Sequence, residues 1–216
     1  MNGVTIVKLG GSYALADVLP AWLAAIEAGA GKAVLVCGGG PFADAVRAAQ
    51  PLMGFDNRAA DAMALLAMEQ YAIGIASLGR VFTVADSRAA IETALRAGQV
   101  PVWAPRRMVG EAGDIAASWD VTSDSLAAWL SGVLGARRLL LIKRLDTPAG
   151  QVTAEGLAQS GIVDAAFPGF LAKSSVPGFL LGPREQGFLA RALRGGTGIG
   201  RPIGLVAATA PIHHTG

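Results

Sequence analysis

Two apolar runs that each end in a glycine cluster opening a helix restrict the fold of this chain more than any other feature. Val4-Thr5-Ile6-Val7 leads through Lys8 and Leu9 into Gly10-Gly11-Ser12. Ala33-Val34-Leu35-Val36-Cys37 leads into Gly38-Gly39-Gly40, with Pro41 where the first residue of a helix belongs. Neither run alternates apolar with polar residues, so each predicts a strand covered on both faces. Further strands are expected over 81–84, 100–103, 139–142, 179–181 and 203–206. Helices are expected over 16–27, 41–50, 58–76, 87–97, 124–134 and 185–193. Strands separated by helices in this order predict an α/β chain, a three-layer αβα sandwich around a mostly parallel central sheet. Residues 147–175 lack clear periodicity and predict loops and short helices, the place for a mobile lid.

Composition removes several function classes. Hydrophobic residues make up 52% of the 216 residues and charged ones 16%, which excludes disorder and leaves a surface apolar enough to expect a homo-oligomer. The net charge is +2 and no Lys/Arg tract alternates with aromatics, so no nucleic-acid partner is expected. Cys37 is the only cysteine, which rules out an intramolecular disulfide and fits a reducing cytoplasm. The first residues carry no charged leader followed by an apolar segment, and no apolar run approaches the roughly 18 residues of a spanning helix, so no membrane partner is expected.

The chemistry concentrates at the ends of the strands. Backbone N–H groups in the turns Gly10-Gly11-Ser12 and Gly38-Gly39-Gly40 can approach a ligand closely, and each following helix start adds partial positive charge. Either turn alone is as readily a plain tight turn; two together, with Lys8 just before the first, favour a grip on one phosphoryl group. A cation at the carboxyl end of a buried strand is costly unless it meets an anion. The alternative is a lysine whose head reaches solvent at the strand end. Asp124, in Trp119-Asp120-Val121-Thr122-Ser123-Asp124-Ser125, either caps the helix that follows or holds two lysines in place, and the two roles are compatible. Lys143 follows Leu139-Leu140-Leu141-Ile142, with Arg144 and Asp146 behind it, where open α/β sheets bind ligands; a simple charged loop is the competing reading. Arg58, at the start of a long helix, either forks onto an anionic substrate or pairs with Asp61 three residues on.

Other features carry less. Gly38-x-Gly40-x-x-Ala43 matches a dinucleotide fingerprint, which would imply an NAD(P)-dependent oxidoreductase, but the match follows the second strand rather than the first. His213 and His214 are adjacent near the end of the sequence and cannot build a metal site between them, so no protein metal site is expected. Cys37 ends a buried strand without a recognisable base and reads as core. The glycine-rich 195–200 run reads as a flexible hairpin.

Three segments, taken in order, are similar to the signature of the amino-acid-kinase family: Val7-Lys8-Leu9-Gly10-Gly11-Ser12, Val36-Cys37-Gly38-Gly39-Gly40, and Thr122-Ser123-Asp124-Ser125-Leu126-Ala127-Ala128. The wording of 38–47 and of 119–124 most resembles a small branch of that family acting on an aminomethylfuran phosphate in methanofuran-type cofactor synthesis. The resemblance implies one domain over 1–216, with a substrate lobe over roughly 1–135 and a nucleotide lobe over 136–216. It implies ATP and Mg2+, and transfer of the γ-phosphoryl group to an anionic oxygen of a small molecule. Lys8 would stabilise the moving phosphoryl group, and Asp124 would organise the lysines. The two glycine turns would hold oxygens, and Lys143, Arg144 and Asp146 would border the nucleotide. The chain departs from the family in two places, the first being the Asp-Gly pair common after the nucleotide strand, where this chain reads Lys143-Arg144-Leu145-Asp146-Thr147-Pro148. Many members carry a second catalytic lysine in a Gly-Gly-Met-x-x-Lys segment; here 160–166 reads Ser-Gly-Ile-Val-Asp-Ala-Ala, which leaves Lys143 or Lys173 to supply the charge. That departure also admits a non-catalytic protein that binds oxyanions or nucleotides on the same scaffold.

Overall fold

A computed structural model describes residues 3–145, 152–196 and 200–205. Eight strands form one sheet in the order β3-β4-β2-β1-β5-β7-β8-β6. They are β1 (Thr5–Leu9), β2 (Ala33–Cys37), β3 (Phe82–Ala85), β4 (Val100–Trp103), β5 (Arg138–Ile142), β6 (Val152–Thr153), β7 (Gly178–Leu181) and β8 (Arg201–Gly204). The first six in spatial order run parallel; β8 pairs antiparallel with β7, and β6 runs parallel to β8. The helices are α1 (Leu19–Glu27), α2 (Gly40–Met53), α3 (Asn57–Leu78), α4 (Arg88–Arg96), α5 (Arg106–Ala112), α6 (Ser123–Leu134), α7 (Ala154–Gln159), α8 (Phe167–Ser174) and α9 (Gln186–Leu193). The α/β sandwich expected from the apolar strands is the fold observed.

The absence of polar alternation has a direct cause. Ile6, Val34, Val36, Leu139 and Leu141 enter one core cluster with α6 and α8, while Val7, Leu35, Leu140 and Ile142 enter another with α1 and α9. Successive side chains of a strand point to opposite faces, so a sheet buried on both sides needs apolar residues at every position. Lys8 is the exception in β1, and by that alternation it shares the Ile6 face, which α6 covers. Its burial is therefore an electrostatic problem that α6 must solve.

Differences from the sequence reading lie at element ends and late in the chain. The first helix begins at Leu19 rather than 16, because a 3-10 turn at Gly11–Tyr13 intervenes and Pro20 sits in the helix's first turn. Helix α5 was not expected, although Pro105 before it and the left-handed Gly113 after it are ordinary start and stop signals. The last strand ends at Gly204, and Val206 lies outside the described residues. Within 147–175 the expected short helices are α7 and α8, preceded by the two-residue β6. The segment 146–151, which includes Asp146 and part of the expected lid, lies outside the described residues, as do His213 and His214. No helix among the described residues is long and apolar enough to cross a membrane.

Candidate active site

Asp124 occupies the first turn of α6 and is buried, 4% exposed. Its carboxylate lies between two ammonium groups: Lys8 Nζ stands 2.7 Å from Oδ1, and Lys143 Nζ donates to Oδ2 at 2.6 Å. The Lys8 contact is a close ion pair without an aligned hydrogen bond, so Oδ1 has no directed donor. Burial pushes the Asp124 carboxyl up, but the charges of the two lysines and the hydrogen bond from Lys143 outweigh it and hold the group below the ordinary carboxylate range. Burial, and then the charge of Lys8, depress Lys143 to about 8, with Asp124 pulling the other way. Two cations share one carboxylate, so the cluster keeps one positive charge in excess. Buried charge without a full counter-charge is costly, and the surplus is met when an anion arrives. Helix cap and lysine clamp were both open for Asp124 from the sequence. It lies in the first turn of α6, where the helix dipole favours a carboxylate, and it clamps both lysines.

The two glycine turns meet back to back. A Cβ on Gly11 would stand 2.6 Å from Gly40 N and 2.8 Å from Gly40 Cα, and one on Gly38 would stand 2.6 Å from Gly11 N. Only glycine permits that approach. Gly40 also has φ +53°, the left-handed region in which a side chain is strained. The ladder continues into the turns, with Gly38 N donating to Leu9 O at 3.0 Å and Gly10 N to Ile142 O at 3.3 Å. Gly11, Ser12, Gly38, Gly39 and Gly40 line a cavity of about 290 Å³ between α2, α3 and the residues before α6. The start of α2 at Gly40 opens beside it.

Lys143 and Arg144 are bound to the first turn: the Tyr13 hydroxyl donates to Lys143 O at 3.1 Å, and Arg144 Nη1 donates to Ser12 O at 3.0 Å. Lys143, not Lys173, meets Asp124; Lys173 is exposed in the last turn of α8. Arg58 is exposed and does not line the cavity. The guanidinium on the cavity wall is Arg47, which stacks over the Trp119 ring 4.3 Å from its centroid, while Trp119 Nε1 donates to Gln50 Oε1 at 2.7 Å. Cys37 is buried, and burial, opposed by the charge of Lys8, pushes its thiol up to about 12, so it is an inert core residue at neutral pH.

One contributor had no sequence signal. Thr122 caps α6 without a hydrogen bond from its own side chain. Asp164, from the loop between α7 and α8, does the work instead. It accepts from Thr122 N at 3.0 Å, Thr122 Oγ1 at 2.8 Å and Ser125 N at 3.0 Å, and Ser125 Oγ donates to it as well. A carboxylate at a helix N-terminus satisfies free N–H groups and favours the dipole. Here it fixes the turn that carries Asp124. Asp164 lies in the 160–166 stretch where a lysine is missing from the family pattern.

Ammonium groups clamped beside paired glycine turns, at the carboxyl ends of parallel strands, form an arrangement suited to an anion such as a phosphoryl group. The chain belongs to the amino acid kinase family, whose sequence pattern matches residues 3–147, and it is a phosphotransferase. Among relatives, it is 23% identical over 191 residues to the [5-(aminomethyl)furan-3-yl]methyl phosphate kinase of Methanocaldococcus jannaschii, covering 83% of this chain and 88% of that protein. Among solved structures, the uridylate kinase of Archaeoglobus fulgidus superposes with a TM-score of 0.69 at 18% identity, over 93% of this chain and all of that one. The UMP kinase of Ureaplasma parvum gives 0.65 at 15% identity, over 91% of this chain and 97% of that one. These similarities fix the fold. Membership of a kinase family sets aside the NAD(P)-dependent oxidoreductase reading of the Gly38 turn.

Proposed function

We propose that this kinase transfers the γ-phosphoryl group of MgATP to a phosphate monoester, extending it to a diphosphate, and that its acceptor is an aminomethylfuran phosphate of methanofuran-type cofactor synthesis. One observation carries the phosphoryl-transfer reading: Lys8 and Lys143, both clamped by Asp124, stand at the ends of adjacent strands beside the paired glycine turns. The acceptor identity is supported by the relative from Methanocaldococcus jannaschii, aligned over most of both chains.

In this reading an oxygen of the acceptor phosphate attacks the γ-phosphorus in line. The new P–O bond forms as the bond to the β,γ-bridging oxygen breaks, and ADP leaves with that electron pair. An anionic acceptor needs no strong general base, so positioning and charge neutralisation suffice. Lys8 and Lys143 neutralise the equatorial oxygens, the amides of the two cradles hold acceptor and phosphoryl oxygens, and Asp124 keeps the two ammonium groups from drifting apart. Arg144 borders the nucleotide in the lobe formed by 136–216, while 1–135 holds the acceptor. Among the described residues no three His, Cys, Asp or Glu side chains gather around a point. Both oxygens of Asp124 face lysines, so Mg2+ enters carried by the nucleotide phosphates, as that ion commonly does. Leu52, Met53, Ile73 and Leu78 are large apolar side chains exposed on α2 and α3, which supports a homo-oligomer. A kinase of small metabolites with one buried thiol fits the cytoplasm.

The test is ATP turnover against a panel of phosphate monoesters containing [5-(aminomethyl)furan-3-yl]methyl phosphate and uridylate, with ADP release and the 31P signal of the new diphosphate as readouts. A diphosphate formed from the furan phosphate is expected. Turnover of uridylate alone would transfer the acceptor assignment to nucleotides, and no turnover by folded protein with any acceptor would remove the phosphate-monoester reading.

A further inference from the structure

The cavity carries a carboxylate that phosphoryl transfer leaves unused. Helix α3 presents Asn57, Asp61, Ala64 and Met68 to it, residues three or four apart and therefore on one helical face. Asp61 is half-buried, and among the described residues no hydrogen bond or ion pair holds it. Burial raises its carboxyl above the ordinary range, with no neighbouring cation opposing the shift. Arg58, the partner that spacing suggested, is exposed and makes no such pair. Arg47, the basic residue on the wall, is occupied by Asp44 at 3.5 Å and by the Trp119 ring.

The helix also sets a distance. A Cβ on Gly39 would stand 3.5 Å from Ala67 Cβ, so α3 meets the glycine cradle at about residue 67. Asp61 lies six residues earlier, about 9 Å along the axis at roughly 1.5 Å per residue. Ala60, Ala64, Leu65, Met68 and Leu126 supply the apolar wall. The cavity is thus polarised: amides for an anion at one end, apolar wall between, and an unpaired carboxylate about 9 Å away along α3.

We propose that Asp61 pairs with a protonated amine on the acceptor, so that this site selects zwitterionic substrates bearing a phosphate and, across a short apolar or aromatic spacer, an ammonium group. The proposal rests on the kinase reading for the phosphate end only. A half-buried carboxylate without a partner carries part of its desolvation cost, and a ligand cation offsets it. A neutral substituent in the same place leaves it.

The probes are 3-(aminomethyl)benzyl phosphate and 3-(hydroxymethyl)benzyl phosphate, which share a ring and a phosphate and differ in the charge of the distal group. Wild-type protein with MgATP is expected to prefer the amine by about 10- to 100-fold in kcat/KM, the range of a charge-assisted hydrogen bond. The preference should fall mainly in KM. In Asp61→Asn the ratio between the probes should collapse toward one, and Asp61→Ala should give the same collapse. A ratio near one in the wild type, or a preference that survives both substitutions, overturns the proposal. If neither probe is phosphorylated, calorimetric binding of the same pair keeps the two ideas separable. A binding preference for the amine that needs Asp61 upholds the subsite while the kinase reading fails, and equal binding of the two probes sinks the subsite itself.

Discussion

The two ends of the sheet bury positive charge in different ways. At the amino end, Arg138 opens β5 and is 5% exposed, yet among the described residues it pairs with no carboxylate. Its Nε donates to Thr5 Oγ1 at 3.1 Å and its Nη2 to Ala192 O at 2.8 Å. At the carboxyl end, Lys8 and Lys143 meet a full negative charge, but they share it. The planar guanidinium is satisfied by neutral oxygens fixed in the fold, and its charge has a structural role. The ammonium pair is held in place by Asp124 yet left with surplus charge beside the glycine turns. The difference is one of partner: neutral oxygens fixed in the fold at the amino end, and one shared carboxylate at the carboxyl end.

The largest expected effect comes from breaking the clamp. Asp124→Asn keeps the shape of the side chain and removes its charge, leaving two buried ammonium groups facing each other. Loss of one partner from a buried ion cluster costs about 3–5 kcal/mol, measurable by urea denaturation, and phosphoryl transfer should become undetectable. Stability within about 1 kcal/mol of wild type, a typical surface-substitution outcome, would show that Asp124 does not hold the lysines.

A paired substitution sharpens the contrast between the two ends. Lys8→Met should lower kcat by about 10²–10³-fold, as losing one preorganised charge-stabilising group does. Its effect on stability should be small, because Asp124 keeps Lys143 as a partner. Arg138→Met should do the reverse. Phosphoryl transfer should persist at the wild-type rate, while the unpaired Thr5 hydroxyl and Ala192 carbonyl cost about 1–3 kcal/mol. Turnover and denaturation of the same two proteins decide it. A fall in kcat for Arg138→Met, or an unchanged kcat for Lys8→Met, would erase the distinction.

How much of this was legible in the sequence depended on how locally each signal is written. The strands and the cradles are written in apolar runs and glycine turns, and the clamp residues Lys8, Asp124 and Lys143 stand where an apolar run meets a glycine turn, a helix start or a charged loop. Arg58 was a candidate because it begins a helix, but each residue turns about 100° on that helix. Asn57 and Asp61 face the cavity and Arg58 does not. Asp164 was out of reach for another reason: its partners Thr122 and Ser125 lie 42 and 39 residues away, and only the docking of the α7–α8 loop on α6 brings them together. The stacking of Arg47 on Trp119 is likewise a tertiary event.

The smallest effect is a displacement along the pH axis. Burial and the charge of Lys8 bring Lys143 to about 8, below the ordinary lysine value of 10.5. As pH rises through about 8, the folded protein loses this proton and the surplus charge of the clamp with it, so kcat should fall on the alkaline side. The unfolded chain keeps the proton until about 10.5. Between those values the unfolded state binds more protons, and this group's contribution to stability should therefore rise with pH while activity falls. Lys143→Arg retains the charge far above pH 8 and should carry the alkaline limb of kcat upward, whereas Arg138→Met should leave the limb in place. A limb that stays put in Lys143→Arg would assign it to another group and remove Lys143 from the phosphoryl-neutralising pair, because a cation needed for transfer cannot change its titration without moving the pH at which transfer fails.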